Sequence, residues 1–159
     1  MTTNKNVARE SFIKQIAVIL DEMGLKYKKI ESEGMSGFEF GFENDYEEPL
    51  DLALYISEKP YRINFIVPNV VDLDMLKDGK YVEVLKKINN INSEKILYGS
   101  LGIADEINSV IYSNAVSLEG RSSIEQQELM DYILYSVFIT EAAIKEINQF
   151  LYREDLRVK

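Results

Sequence analysis

The sequence contains no cysteine and no histidine. Without thiols there is no disulfide framework and no thiolate metal site. Without imidazole the commonest general base and the commonest transition-metal ligand are missing. A serine nucleophile needs a positioned base, and no G-x-S-x-G turn is present to present one. Phosphate loops are absent too. The pair Gly99 and Gly102 fits neither G-x-G-x-x-G nor G-x-x-x-x-G-K. No apolar run approaches the ~20 residues that span a bilayer. The N-terminal MTTNKNVARES lacks the apolar stretch of a secretory signal, so the cytoplasm is the expected location. These absences predict a protein that is not an enzyme and needs no cofactor.

Basic residues are missing from one long stretch. Between Lys29 and Lys59 there are nine acids and no Lys or Arg, whereas the other 18 acids are balanced by the 18 basic residues of the whole chain. The net charge of −9 is therefore a local property of segment 31–58. An acidic segment without a basic face argues against a nucleic-acid partner, because phosphate binding requires cations. The segment could instead attract a basic peptide, or hold a small ligand or divalent cation. Residues 43–48 (ENDYEE) offer oxygen ligands but neither the spacing nor the glycine of a calcium loop. Glu39 and Glu43 share one strand face, yet nothing in the pattern places them in a desolvated pocket for acid–base work. A solvated strand face explains these acids more simply, and no metal ligands are assigned.

What is present is regular periodicity over 159 residues, the length of a single domain with its core at about 7–152. Phe12, Ile16, Ile19, Leu20 and Met23 recur at helical spacing, predicting a helix over 7–23, with Asn6 as cap and Gly24 as stop. Residues 25–31 alternate weakly. Phe38, Phe40 and Phe42 alternate strictly over 37–43, followed by Leu50, Leu52, Leu54 and Ile56, and then by Tyr61, Ile63, Phe65 and Val67 up to Pro68. Such alternation predicts an antiparallel meander with one buried and one wet face. Residues 69–79 read as a loop. A helix is predicted from Lys80 to Ile91, with Asp78 as cap and Asn89, Asn90, Asn92 and Ser93 as terminators. Strands over 96–103 and 107–118 form a hairpin, in which Gly99 and Gly102 signal a bulge or a close neighbour. After Gly120, Ser122 with Glu125 and Ser123 with Gln126 match capping boxes for a helix reaching Tyr152, ~45 Å long. The fold class is α+β: an antiparallel sheet of five to six strands packed with three helices.

Two sets of residues are candidates for contacts with other molecules. Tyr55, Ile66 and Ile111 alternate off the apolar rows of their strands and could form an apolar patch for a partner protein or basic peptide. The middle of the last helix, residues 132–144, is apolar on nearly every side. Tyr132, Tyr135, Phe138 and Ile139 are therefore assigned to the seam of a homodimer, the commonest closed assembly of soluble proteins.

The stretch LKKINNINSEKILYGSLGIADEINSVIYSNAVSLEG, followed by a long C-terminal helix, resembles the bacterial YbjN-like family. The likeness covers roughly residues 7–152 by element order, with Asn89, Asn92, Gly99 and the VIYSNAVSLEG strand carrying its residue-level part. It implies the α/β fold of type III secretion chaperones and a protein-binding, chaperone-like or regulatory role. It supplies no catalytic residues.

Overall fold

The computed structural model describes residues 2–32, 35–43 and 49–153. The chain order is helix α1 (Thr2–Glu22), strands β1 (Lys28–Ser32), β2 (Met35–Phe42), β3 (Leu50–Glu58) and β4 (Tyr61–Asp72), helix α2 (Tyr81–Glu94), strands β5 (Ser100–Ala104) and β6 (Ser109–Ser117), and helix α3 (Gln126–Ile147). All six strands form one antiparallel sheet in the order β1-β2-β3-β4-β6-β5. This is the α+β architecture that the alternation predicts.

The register puts the apolar rows on one side. Phe38 lies opposite Leu54, and Leu54 opposite Phe65. The rows are sealed by aromatic contacts from the helix layer, Phe12 on Tyr61 and Tyr132 on Phe65, at ring-centroid distances of 6.2 and 5.6 Å. From α1, Phe12, Ile16, Ile19 and Leu20 are buried; from α2, Val84, Ile88 and Ile91; from α3, Leu129, Ile133, Ile139, Ala143, Ile144 and Ile147. They join the strand rows in one hydrophobic cluster. Burying one such side chain contributes about 1.5–3 kcal/mol, so the inner face of the sheet is the main source of stability.

Several local signals are overridden. Helix α1 already runs at Thr2, which places Asn6 inside it and not at its cap. Strand β4 does not stop at Pro68 but continues to Asp72. Its ladder to β6 shifts register between Val67 and Val71, and an irregularity of that kind can hold a proline because no ladder N–H is required there. A 3₁₀ turn, Leu73–Met75, follows within the segment expected to be a loop. Helix α2 runs through its asparagines to Glu94, while Tyr81 and Leu85, at helical spacing with the buried Val84 and Ile88, are exposed. Lys80, not Asp78, is its cap residue.

The two capping boxes before α3 are not used; Glu125 is the cap and makes no side-chain bond. Gln15 of α1 instead holds the segment that precedes the helix, donating to the Ser122 carbonyl (3.1 Å) and accepting from the Ile124 N–H (3.2 Å). Helix α3 also ends at Ile147, short of Tyr152. A 3₁₀ turn follows, and the Tyr152 N–H donates to the Met75 carbonyl at 2.6 Å, drawing the chain back to the end of β4.

Candidate functional site

The helices cover one face of the sheet. The opposite face is built from the alternate residues, and its rows follow from the register. One row runs Lys28, Glu39, Ala53, Ile66, Ser113, Ser100; the next runs Ile30, Gly37, Tyr55, Asn64, Ala115. Ile111 stands beside Gly102 at the β5 side. Tyr55, Ile66 and Ile111 are thus on one face, half-buried among their sheet neighbours and outside the hydrophobic cluster. Tyr55 is held against β2 because residue 37 has no Cβ. A side chain there would collide with the Leu54 carbonyl and the Tyr55 backbone. Asn64, in the same row, is 4% exposed and donates to Ser57 Oγ at 3.0 Å. Glu39 of β2 and Asp51 of β3 lie exposed on this face, as do Lys28 of β1 and Arg62 of β4, so its apolar side chains are bordered by charges of both signs. Residues 44–48, the heart of the calcium-loop reading, lie outside the described residues. Among those described, no cluster of three acids could hold a metal ion.

The four residues assigned to a helix seam are separated by the structure. Ile139 is 1% exposed and belongs to the core of its own chain, so it cannot meet a second copy while the chain stays folded. Phe138 faces outward at 64% exposure, with Leu134 beside it one turn earlier at 54%. Tyr132 and Tyr135 are half-buried and turn instead toward Tyr98, in the link between α2 and β5. The apolar character of α3 on all sides therefore has several causes: one side faces the sheet, another this link, and only the rest faces outward.

Tyr98, Tyr132 and Tyr135, with Glu128 and Asp131, line a surface cleft of about 420 Å³. The Tyr98 ring stands at 79° to Tyr132 and 80° to Tyr135, with centroids 5.8 and 5.5 Å away. The link is fixed by its backbone. The Leu97 N–H donates to the Tyr135 hydroxyl at 2.6 Å, and the Tyr112 hydroxyl donates to the Tyr98 carbonyl at 2.8 Å. Gly99 adopts φ +76°, where a Cβ would strike the Ser113 carbonyl. This is the close neighbour anticipated for Gly99; Gly102 has open space where its side chain would be. Burial, above all, pushes the Tyr112 hydroxyl up to about 12. Tyr132 is also raised, first by burial and then by the negative charge of Glu128. Glu128 is lowered, because Arg121 holds it bidentately at 2.7 and 2.8 Å. The sequence reading identified two of the cleft's tyrosines but not Tyr98, which lies far away along the chain. Its one local signal is the glycine that follows it.

Comparison with known proteins places this geometry. No family model matches the chain, and no curated protein matches it significantly. Solved structures do match. One chain of the ExsC–ExsE complex aligns over 93% of this chain and 95% of its own, with a TM-score of 0.57 and 13% identity. YbjN from E. coli, a candidate transcription regulator, aligns over 87% of this chain and 94% of its own, with a TM-score of 0.55 and 11% identity. The fold is thus shared with YbjN, as the sequence resemblance implied, and with a chain of the ExsC–ExsE complex, and at these identities the likeness concerns the fold alone.

Proposed function

We propose that this chain is a non-enzymatic protein-binding module, chaperone-like or regulatory, working as a single domain in the cytoplasm. The observation that carries the reading is the sheet face that none of the described helices covers. Tyr55, Ile66 and Ile111 supply its apolar side chains, with Glu39 and Asp51 exposed on the same face. Apolar patches rimmed by polar residues mark interaction sites on soluble proteins. Carboxylates at the rim steer a basic partner segment and raise its association rate more than its final affinity. A neighbour of the same fold, solved as the ExsC–ExsE complex, supports a role in binding another protein. The reading includes a homodimer paired through the outward face of α3, where Phe138 and Leu134 would be withdrawn from water.

A capture experiment with purified wild-type chain and a Tyr55→Ser, Ile66→Ser, Ile111→Ser variant tests the sheet face. A partner retained by the wild type and lost by an equally stable variant supports it; identical retention by both refutes it. Calorimetric titration with calcium tests the competing small-ligand reading, which micromolar saturable binding would favour. Light scattering tests the pairing: the proposal needs twice the 18.3 kDa chain mass, falling to one chain mass in Phe138→Glu.

A further inference from the structure

We propose that the cleft between Tyr98, Tyr132 and Tyr135 receives a lysine or arginine side chain from a partner polypeptide, with Asp131 as its counter-charge. This rests on the protein-binding reading above but uses a different surface, on the helix side of the molecule. Three phenol rings line one cleft, with Tyr98 at near right angles to both Tyr132 and Tyr135. Aromatic faces carry negative charge density and attract ammonium and guanidinium groups, and several rings around one position are the recurring device for holding such a head.

The carboxylates decide the sign of the ligand. Glu128 is already neutralised by its two bonds from Arg121. Asp131 is exposed and accepts only a neutral amide, Gln127 Nε2 at 2.8 Å. One uncompensated negative charge is left at the cleft, which disfavours an anion and gives a cation a partner. The form of the cleft decides the source. A free small molecule is held in pockets that enclose most of its surface. Here Tyr98 is 52% exposed and Asp131 lies at the surface, so one side is open. A side chain can enter by that side while the backbone bearing it stays outside. The Tyr98 wall is already set by the Leu97, Tyr112 and Gly99 contacts, so little ordering is left to occur on binding.

The test uses the full chain with ring-labelled tyrosine, followed by NMR. The probes are lysine and arginine capped as Nα-acetyl methylamides, the norleucine counterpart, and tetramethylammonium. The proposal requires saturable shifts of Tyr98, Tyr132 and Tyr135 with the lysine and arginine probes and none with norleucine. Tyr98→Leu and Asp131→Asn, both at surface positions, should each weaken that binding about fivefold or more. Tyr55→Ser, on the other face, should leave it unchanged, so failure of the sheet-face reading would not mimic failure here. Equal shifts with norleucine, or binding indifferent to both cleft variants, overturn the proposal. Saturation by tetramethylammonium at far lower concentration than by lysine also overturns it, assigning the cleft to a small quaternary ammonium.

Discussion

Asn92, near the end of α2, is hydrogen-bonded in both directions to one residue of the edge strand β5. Its Nδ2 donates to the Leu101 carbonyl at 2.9 Å, and its Oδ1 accepts from the Leu101 N–H at 2.8 Å. The side-chain amide acts as a one-residue neighbour strand, satisfying backbone groups that an edge leaves unpaired. Asn92→Ala removes both bonds. A net contribution of about 1 kcal/mol per neutral bond gives about 2 kcal/mol, rising to about 3 if the part-buried Leu101 groups stay poorly hydrated. At ~2–4 °C per kcal/mol for a chain of this size, 2 kcal/mol lowers the midpoint by about 4–8 °C. Asn92→Asp is the sharper probe. It keeps the size and an acceptor for the Leu101 N–H, but turns a carboxylate on the Leu101 carbonyl, and should cost at least as much as alanine. Denaturant unfolding measures the loss, and hydrogen exchange at the Leu101 amide locates it. If Asn92→Ala stays within about 0.5 kcal/mol of wild type and Leu101 remains protected, the amide is not holding the strand and the reasoning fails.

Gly37→Ala should destabilise by about 3 kcal/mol, the upper end of ordinary substitutions, because its Cβ would collide with the β3 backbone; urea unfolding of the variant measures this. Tyr112 gives an alkaline signature. Its folded-state value is about 12 against 10 unfolded, so its contribution is complete below pH 10 and is lost as pH rises toward 12. Stability measured over that window should fall less steeply in Tyr112→Phe, which also releases the Tyr98 carbonyl. Glu128 has the opposite sign. Its lowered value means that the Arg121 pair stabilises above the ordinary carboxylate range and is lost on acidification, so the acid limb of a stability profile should be shallower in Glu128→Gln.

The strands were legible because alternation is a local consequence of one buried face: Phe38, Leu54 and Phe65 announce their row without reference to one another. The helix stripes of α1 were legible for the same reason. What the sequence concealed are choices made by contacts distant along the chain. Asn92 reads as a helix terminator by intrinsic preference, yet the β5 edge gives its amide a better use inside the helix. Pro68 reads as a strand end, but the bulge opposite β6 accommodates it. Ser122 and Ser123 read as caps, but the helix starts only at Gln126, and their segment is held by Gln15, more than 100 residues earlier. That Tyr55, Ile66 and Ile111 stand off the core rows of their strands was legible from periodicity. The apolar wrap of α3 suggested a single seam because nothing local tells a core position such as Ile139 from an outward one such as Phe138.

The sheet order has a consequence for how the chain is made. Strands β1 to β4 each pair with the strand just before or after them, and β5 with β6, so two sets of local hairpins account for every ladder but one. That one, β4 with β6, closes across the whole of α2, and α3 packs against both of its strands. Synthesis runs from the N-terminus, so α3 is the last of these elements to leave the ribosome. Until it does, the inner side of the join, with Phe65 among its residues, has lost its Tyr132 cover. The nascent chain thus passes through an interval in which both hairpin sets can exist while their seam is still greasy and open. In that interval its own apolar surface is most exposed to the capture and aggregation that the finished fold avoids.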